Sequence, residues 1–182
     1  MKSYSLTTLF AIGSLYATAA TGQQNTVLPD YPNSYEIVRD VVEMPAGRQM
    51  GSGNAIDIDS RGNIWVFERC GGNNGACPES DVDPVLQFSP EGKLLSSFGS
   101  GLFVWPHGIV VDEDDNLWII DAGVIEGKKG NQIFKFTQDG TLLLELGEPG
   151  VRGDGPGQFN EPSDLAFGPD GTLYILDGHI NP

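Results

Sequence analysis

Three stretches of this chain repeat one pattern, and that repetition limits the fold more than any other feature. "NAIDIDSRGNIWVFE" from Asn54, "HGIVVDEDDNLWIID" from His107 and "SDLAFGPDGTLYILD" from Ser163 each hold a short apolar run, a polar turn and a second apolar run. The second run carries an aromatic residue at a fixed place: Trp65, Trp118 and Tyr174. A second pattern, "VLQFSPEGKLLSSFG" ending at Gly99, recurs as "IFKFTQDGTLLLELG" ending at Gly147. There Phe88 matches Phe136 and Gly92 matches Gly140 at the same spacing as the two final glycines. Short runs of Ile, Val, Leu, Phe and Trp bounded by Asp-Gly, Glu-Gly or Asp-Asn turns read as antiparallel hairpins. Two hairpins per unit of about 50 residues make four strands, the size of a propeller blade.

The fold class expected is therefore all-β, a β-propeller. Blades are expected at about 53–100 and 105–148, with an incomplete third at 161–182. A propeller closes with about four to eight blades, so two and a half leave strand edges and apolar faces open, which favours self-association. Residues 23–52 form an N-terminal extension, with a strand considered from Tyr35 to Val42.

The segment 1–22 reads differently. Lys2, the mostly apolar run from Leu6 to Tyr16 and the small residues of "YATAATG" resemble a secretory signal peptide, with cleavage near Ala19, Ala20 or Gly22. An uncleaved anchor is the alternative, although the run is short for a bilayer. The expected location is periplasmic or secreted, with no membrane attachment after cleavage. The formal net charge of −15 repels phosphate backbones, so no nucleic-acid partner is expected. In an oxidising compartment Cys70 and Cys77, the only cysteines, would close a Gly- and Asn-rich loop as a disulfide. Free thiols or metal ligation are the alternatives.

Within the repeat, His107 starts the first strand of its blade, at the position that Asn54 and Ser163 hold in the others. In a propeller this strand lies nearest the central channel, so His107 is a candidate ligand there. A hydrogen-bonded strand-start histidine is the plainer reading. Asp121 and Asp177 end second strands and read as turn-formers that accept backbone hydrogen bonds. The "GDGPGQ" stretch lacks a strand-to-helix transition and makes no phosphate cradle, and "DEDDN" is only a hairpin turn.

The "PHGIVVD" and "NLWIID" strands and the "GPGQFNEP" connector resemble NHL repeats. The stretch from Gly53 to Asn181 is similar, more narrowly, to the first half of the six-bladed propeller of peptidyl-alpha-hydroxyglycine alpha-amidating lyases, in particular their bacterial secreted relatives. That resemblance implies a zinc-dependent cleavage of a peptidyl-alpha-hydroxyglycine into peptide amide and glyoxylate. It places a zinc ligand at His107 and a catalytic arginine at Arg69 in "WVFERCGG". It places structural calcium on the backbone carbonyls of Ile56 and Ile109. Where the animal enzymes carry a catalytic tyrosine, "LDGHIN" puts His179, which would act as general base. Arg69 has a plainer reading as an ion-pair partner of Glu68 or a loop clamp.

The other zinc histidines would fall in blades beyond this chain, so by itself it is expected to be inactive. The alternative is a non-catalytic exported propeller that binds a peptide, glycan or protein. A lactone hydrolase, which would need carboxylate ligands such as Asp57 and Asp164, ranks last.

Overall fold

A computed structural model describes residues 34–72 and 77–179. The leader expected at 1–22 lies outside the described residues. Of the described residues, 34–37 belong to one unit and Val38 onward to a second. Residues 34–37 of the first have no regular secondary structure. No strand forms between Tyr35 and Val42, and the first pairing is an isolated parallel bridge between Glu43 and Lys93.

Among the described residues the regular elements of the second unit are all strands, in three antiparallel sheets. β1 (Gly53–Ile58), β2 (Ile64–Glu68), β3 (Val85–Phe88) and β4 (Leu94–Phe98) form one four-stranded blade in sequential order. β5 (Pro106–Val111), β6 (Leu117–Ile125), β7 (Lys129–Phe136) and β8 (Leu142–Leu146) form a second. β9 (Asp164–Phe167) and β10 (Leu173–Leu176) are the first hairpin of a third. The first strands of successive blades adjoin, β1 against β5 and β5 against β9.

The repeated turns explain the hairpins locally. Asp59 Oδ1 accepts from the backbone N–H groups of Arg61 and Asn63, and Asp112 Oδ1 does the same for Asp114 and Asn116. Such side-chain bonds fix a tight turn. The second oxygen of each carboxylate reaches the indole that opens the next strand: Asp59 Oδ2 accepts from Trp65 Nε1 at 3.2 Å and Asp112 Oδ2 from Trp118 Nε1 at 3.0 Å. In the third repeat Gly168 stands for the aspartate and Tyr174 for the tryptophan, so acceptor and donor are replaced together.

Alternation along the strands sends neighbouring side chains to opposite blade faces. Trp65 and Phe67 meet Ile109, Leu117, Ile119 and Phe134 in the core between blades one and two. Trp118, Ile120 and Ile133 meet Leu165, Leu173 and Ile175 between blades two and three. Phe103, in the connector between β4 and β5, is fully buried with its ring edge-on to Phe67, Phe134 and Phe136. Val66, Leu86 and Phe88 face the other way, against Val42, Met44 and Met50 of the N-terminal strap.

Candidate functional site

The start of each blade's first strand is tied to the next blade through side chains at the repeated position. Asn54 Nδ2 donates to the carbonyls of Pro106 at 2.6 Å and His107 at 3.1 Å. One blade on, His107 Nδ1 lies 2.8 Å from the carbonyl of Ser163. A carbonyl only accepts, so Nδ1 carries the proton and Nε2 keeps the lone pair of the neutral ring. That is the arrangement by which an outer hydrogen bond fixes the tautomer of a ligating histidine. Burial holds the His107 pKa below its usual value; the Ser163 carbonyl and Asp164 oppose this, while His179 and Arg69 reinforce it. His107 is thus kept in the form able to ligate a metal.

Asn54, His107, Ser163, Asp164 and His179 line one cleft of about 470 Å³, together with Ile56 and Ile109. The ring centroids of His107 and His179 are 4.7 Å apart. His179 is exposed, and its backbone N–H donates to the carbonyl of Glu161 at 3.1 Å. Glu161 has a left-handed backbone, φ 68°, and its own N–H donates to Asn131 Oδ1. A corner held by blade two therefore sets where His179 emerges.

Arg69 joins this group through a residue that the repeat does not mark. Its guanidinium carbon lies 5.2 Å from the centroid of the Trp105 ring, within cation–π range. The same ring meets His107 at 5.9 Å and His179 at 5.6 Å, both edge-to-face. Arg69, His107 and His179 are thus gathered around Trp105. Positions 52 and 161 match Trp105 in the other blades and hold Ser and Glu, so the repeat carries no signal for it.

The ion pair between Arg69 and Glu68 does not form. Glu68 is fully buried, pairs with Arg48 at 2.9 Å and accepts from the N–H groups of Gly51 and Gly71. Arg69 Nε is buried without a hydrogen-bond partner, and burial pulls the guanidinium pKa down. Directly after it Cys70 and Cys77 form a disulfide, with Cα atoms 5.6 Å apart.

Three carboxylates hold the connectors that lead into the site. Glu68 accepts from Gly51 N; Asp121 accepts from Val104 N at 2.8 Å and Trp105 N at 2.6 Å; Asp177 accepts from Asn160 N. They share one repeat position; Asp121 and Asp177 accept backbone hydrogen bonds as expected, but from the connector that precedes their blade and not from a turn of their own, and Asp121 lies within β6 instead of ending it. Burial pushes Asp121 up to about 6, against the hydrogen bonds from Trp105 and Val104. Asp57 and Asp164, considered as metal ligands, accept backbone hydrogen bonds instead, Asp57 from Ile58 and Val111 and Asp164 from Leu165.

Among the described residues no group of three His, Cys, Asp or Glu side chains could hold a metal ion. The residues present fit part of a zinc site: one imidazole with its tautomer fixed and a second ring beside it.

The sequence is 26% identical over 147 residues to the probable peptidyl-alpha-hydroxyglycine alpha-amidating lyase of Caenorhabditis elegans, covering 74% of this chain and 40% of that protein. It is 32% identical over 134 residues to NHL repeat-containing protein 3 of Mus musculus, covering 70% of this chain and 35% of that one. The chain is a homologue of the amidating lyases and of NHL-repeat proteins. It spans well under half the length of either relative. Among solved structures, virginiamycin B lyase from Staphylococcus aureus with quinupristin matches with a TM-score of 0.49 at 14% identity, covering 75% of this chain and 37% of that one. No protein-family model matches the sequence. Its described blades, two full and one hairpin, are those of a partial β-propeller similar to NHL-repeat proteins and to amidating lyases.

Proposed function

We propose that the chain is the first part of an exported propeller that cleaves peptidyl-alpha-hydroxyglycines, releasing a peptide amide and glyoxylate. The observation that carries this reading is the gathering of Arg69, His107 and His179 around Trp105, beside the cleft between the first strands. The disulfide fits an oxidising compartment, periplasmic or extracellular.

In this reading Arg69, whose buried Nε has no partner, receives the carboxylate of the hydroxyglycine. His179 takes the proton of the substrate hydroxyl. The carbon–nitrogen bond then breaks, its electron pair stays on the amide nitrogen, and that nitrogen takes up the proton while the carbon becomes the aldehyde of glyoxylate. His107 would be one zinc ligand through Nε2, the remaining ligands coming from outside the described residues. Bound zinc would lower the pKa of a coordinated hydroxyl. The carbonyls of Ile56 and Ile109 would hold a structural calcium. Ile56 and Ile58 of blade one and Tyr174 and Leu176 of the third hairpin are exposed; further blades of the same propeller would cover these faces, or a second copy of the chain when it is isolated.

The test is a zinc titration of the chain followed by histidine 15N NMR, beside a glyoxylate assay on alpha-hydroxyhippurate. Zinc is expected to shift His107 Nε2 while Nδ1 keeps its hydrogen-bonded signature, with no glyoxylate from the monomer above background. A His107 resonance indifferent to zinc would refute the reading. That result would favour a second reading, a non-catalytic propeller binding a peptide, glycan or protein.

A further inference from the structure

We infer that Trp105 and the Cys70–Cys77 disulfide together act as a clamp that positions Arg69 for a carboxylate ligand. The inference rests on the proposed role of Arg69 but concerns residues that this role does not include. The guanidinium has no carboxylate within ion-pair distance among the described residues, and its Nε is buried and unpaired. Its aromatic contact is the face of Trp105, at 5.2 Å. The chain leaving Arg69 is closed at once by the disulfide, and Cys70 holds a left-handed backbone at φ 51°. The far end of that loop is fastened to the connector carrying Trp105, because Cys77 N–H donates to the carbonyl of Val104 at 2.7 Å.

Arg69 and Trp105 belong to different blades, so sequence proximity does not hold them together. The covalent bridge and the Cys77–Val104 hydrogen bond form a short strap from one to the other. A long arginine side chain loses much rotamer freedom when it is held in one place. Stacking on an indole whose backbone is itself fixed by Asp121 meets that cost before a ligand arrives. The unpaired donors of the guanidinium are then left for an anion, and a planar carboxylate matches their fork.

The experiment compares the parent chain with Trp105→Leu, Trp105→Phe and the double variant Cys70→Ser/Cys77→Ser. It uses the Arg69 Nε–Hε resonance and the dissociation constant for N-acetylglycine, a carboxylate that imitates a peptide C-terminal glycine. In the parent the Hε resonance is expected upfield, shifted by the Trp105 ring. Trp105→Leu and the double cysteine variant are expected to move it to the position of a free arginine and to weaken N-acetylglycine about tenfold. Trp105→Phe keeps a ring and is expected to recover most of both. Backbone amide dispersion in blade two identifies any variant that has lost its fold, and the remaining variants then decide.

An Arg69 resonance that stays in place in Trp105→Leu and in the cysteine variant overturns the clamp. If N-acetylglycine fails to bind the parent while the resonance still collapses in the variants, the clamp stands and the assignment of Arg69 to a substrate carboxylate falls.

Discussion

Replacing Phe103 with Ala tests whether the connector between the blades is anchored by its buried ring. Phe103 has no exposure, and its ring lies 4.9 Å from that of Phe67, 5.7 Å from Phe134 and 6.4 Å from Phe136, each edge-on. Burying a phenylalanine removes about 150–200 Å² from water, worth roughly 4 kcal/mol at 25 cal/mol per Å², of which the retained methyl keeps a part. Edge-on aromatic pairs add about 0.5–1.5 kcal/mol each, though three sharing one ring do not sum fully. The expected loss is about 3–5 kcal/mol, the usual range for truncating a core aromatic. Urea unfolding followed by tryptophan fluorescence would show this as a midpoint lowered by about 2 M, for a slope near 2 kcal/mol/M. Leu95→Ala, at a half-exposed position on β4, is the control and should change stability by less than about 0.5 kcal/mol. Because Phe103 shares its connector with Trp105, the truncation should also disturb the Trp105 contacts with His107 and His179. A loss below about 1 kcal/mol would mean that the connector is not held by this ring, and the account of the first interblade core would be wrong.

Two further predictions concern protonation. Asp121 has its pKa pushed up to about 6 by burial, so between pH 3.8 and about 6 the folded chain binds a proton that the unfolded chain has released. Stability from this group is therefore lost as pH rises through that window, by at most about 3 kcal/mol, and urea midpoints for Asp121→Asn should lack that downward slope. His107 has its pKa lowered, first by burial, so the opposite sign holds: its contribution is intact above pH 6.5 and is lost as pH falls below it, because only the unfolded chain then takes up the proton. His107→Gln keeps a donor for the Ser163 carbonyl and should flatten this acid-side loss; an unchanged profile would show that His107 is not the group responsible.

The sequence by itself determined the repeating unit. Apolar runs alternating with Asp- and Gly-rich turns at a recurring spacing admit little but hairpins, and two hairpins per period make a blade. It also marked the cysteines that pair, the carboxylates at 121 and 177 that accept backbone hydrogen bonds, though from connectors and not from turns, and the candidates Arg69, His107 and His179, because each occupies a fixed place in the unit or in a resemblance to known strands. Tertiary structure alone decided what those candidates meet. Trp105 lies in a connector, where the other blades hold Ser and Glu, so no periodicity announces it. Its contacts come from packing one blade against the next and from the strap that runs from Cys77 to Val104. The partner of Glu68 was likewise settled by packing: Arg69, just past the end of β2, lies over Trp105, and Arg48 from the N-terminal strap reaches the buried carboxylate instead. Periodic patterns specify which face of a strand is buried, whereas the meeting of side chains from different blades depends on how the sheets twist and stack, which local sequence does not encode.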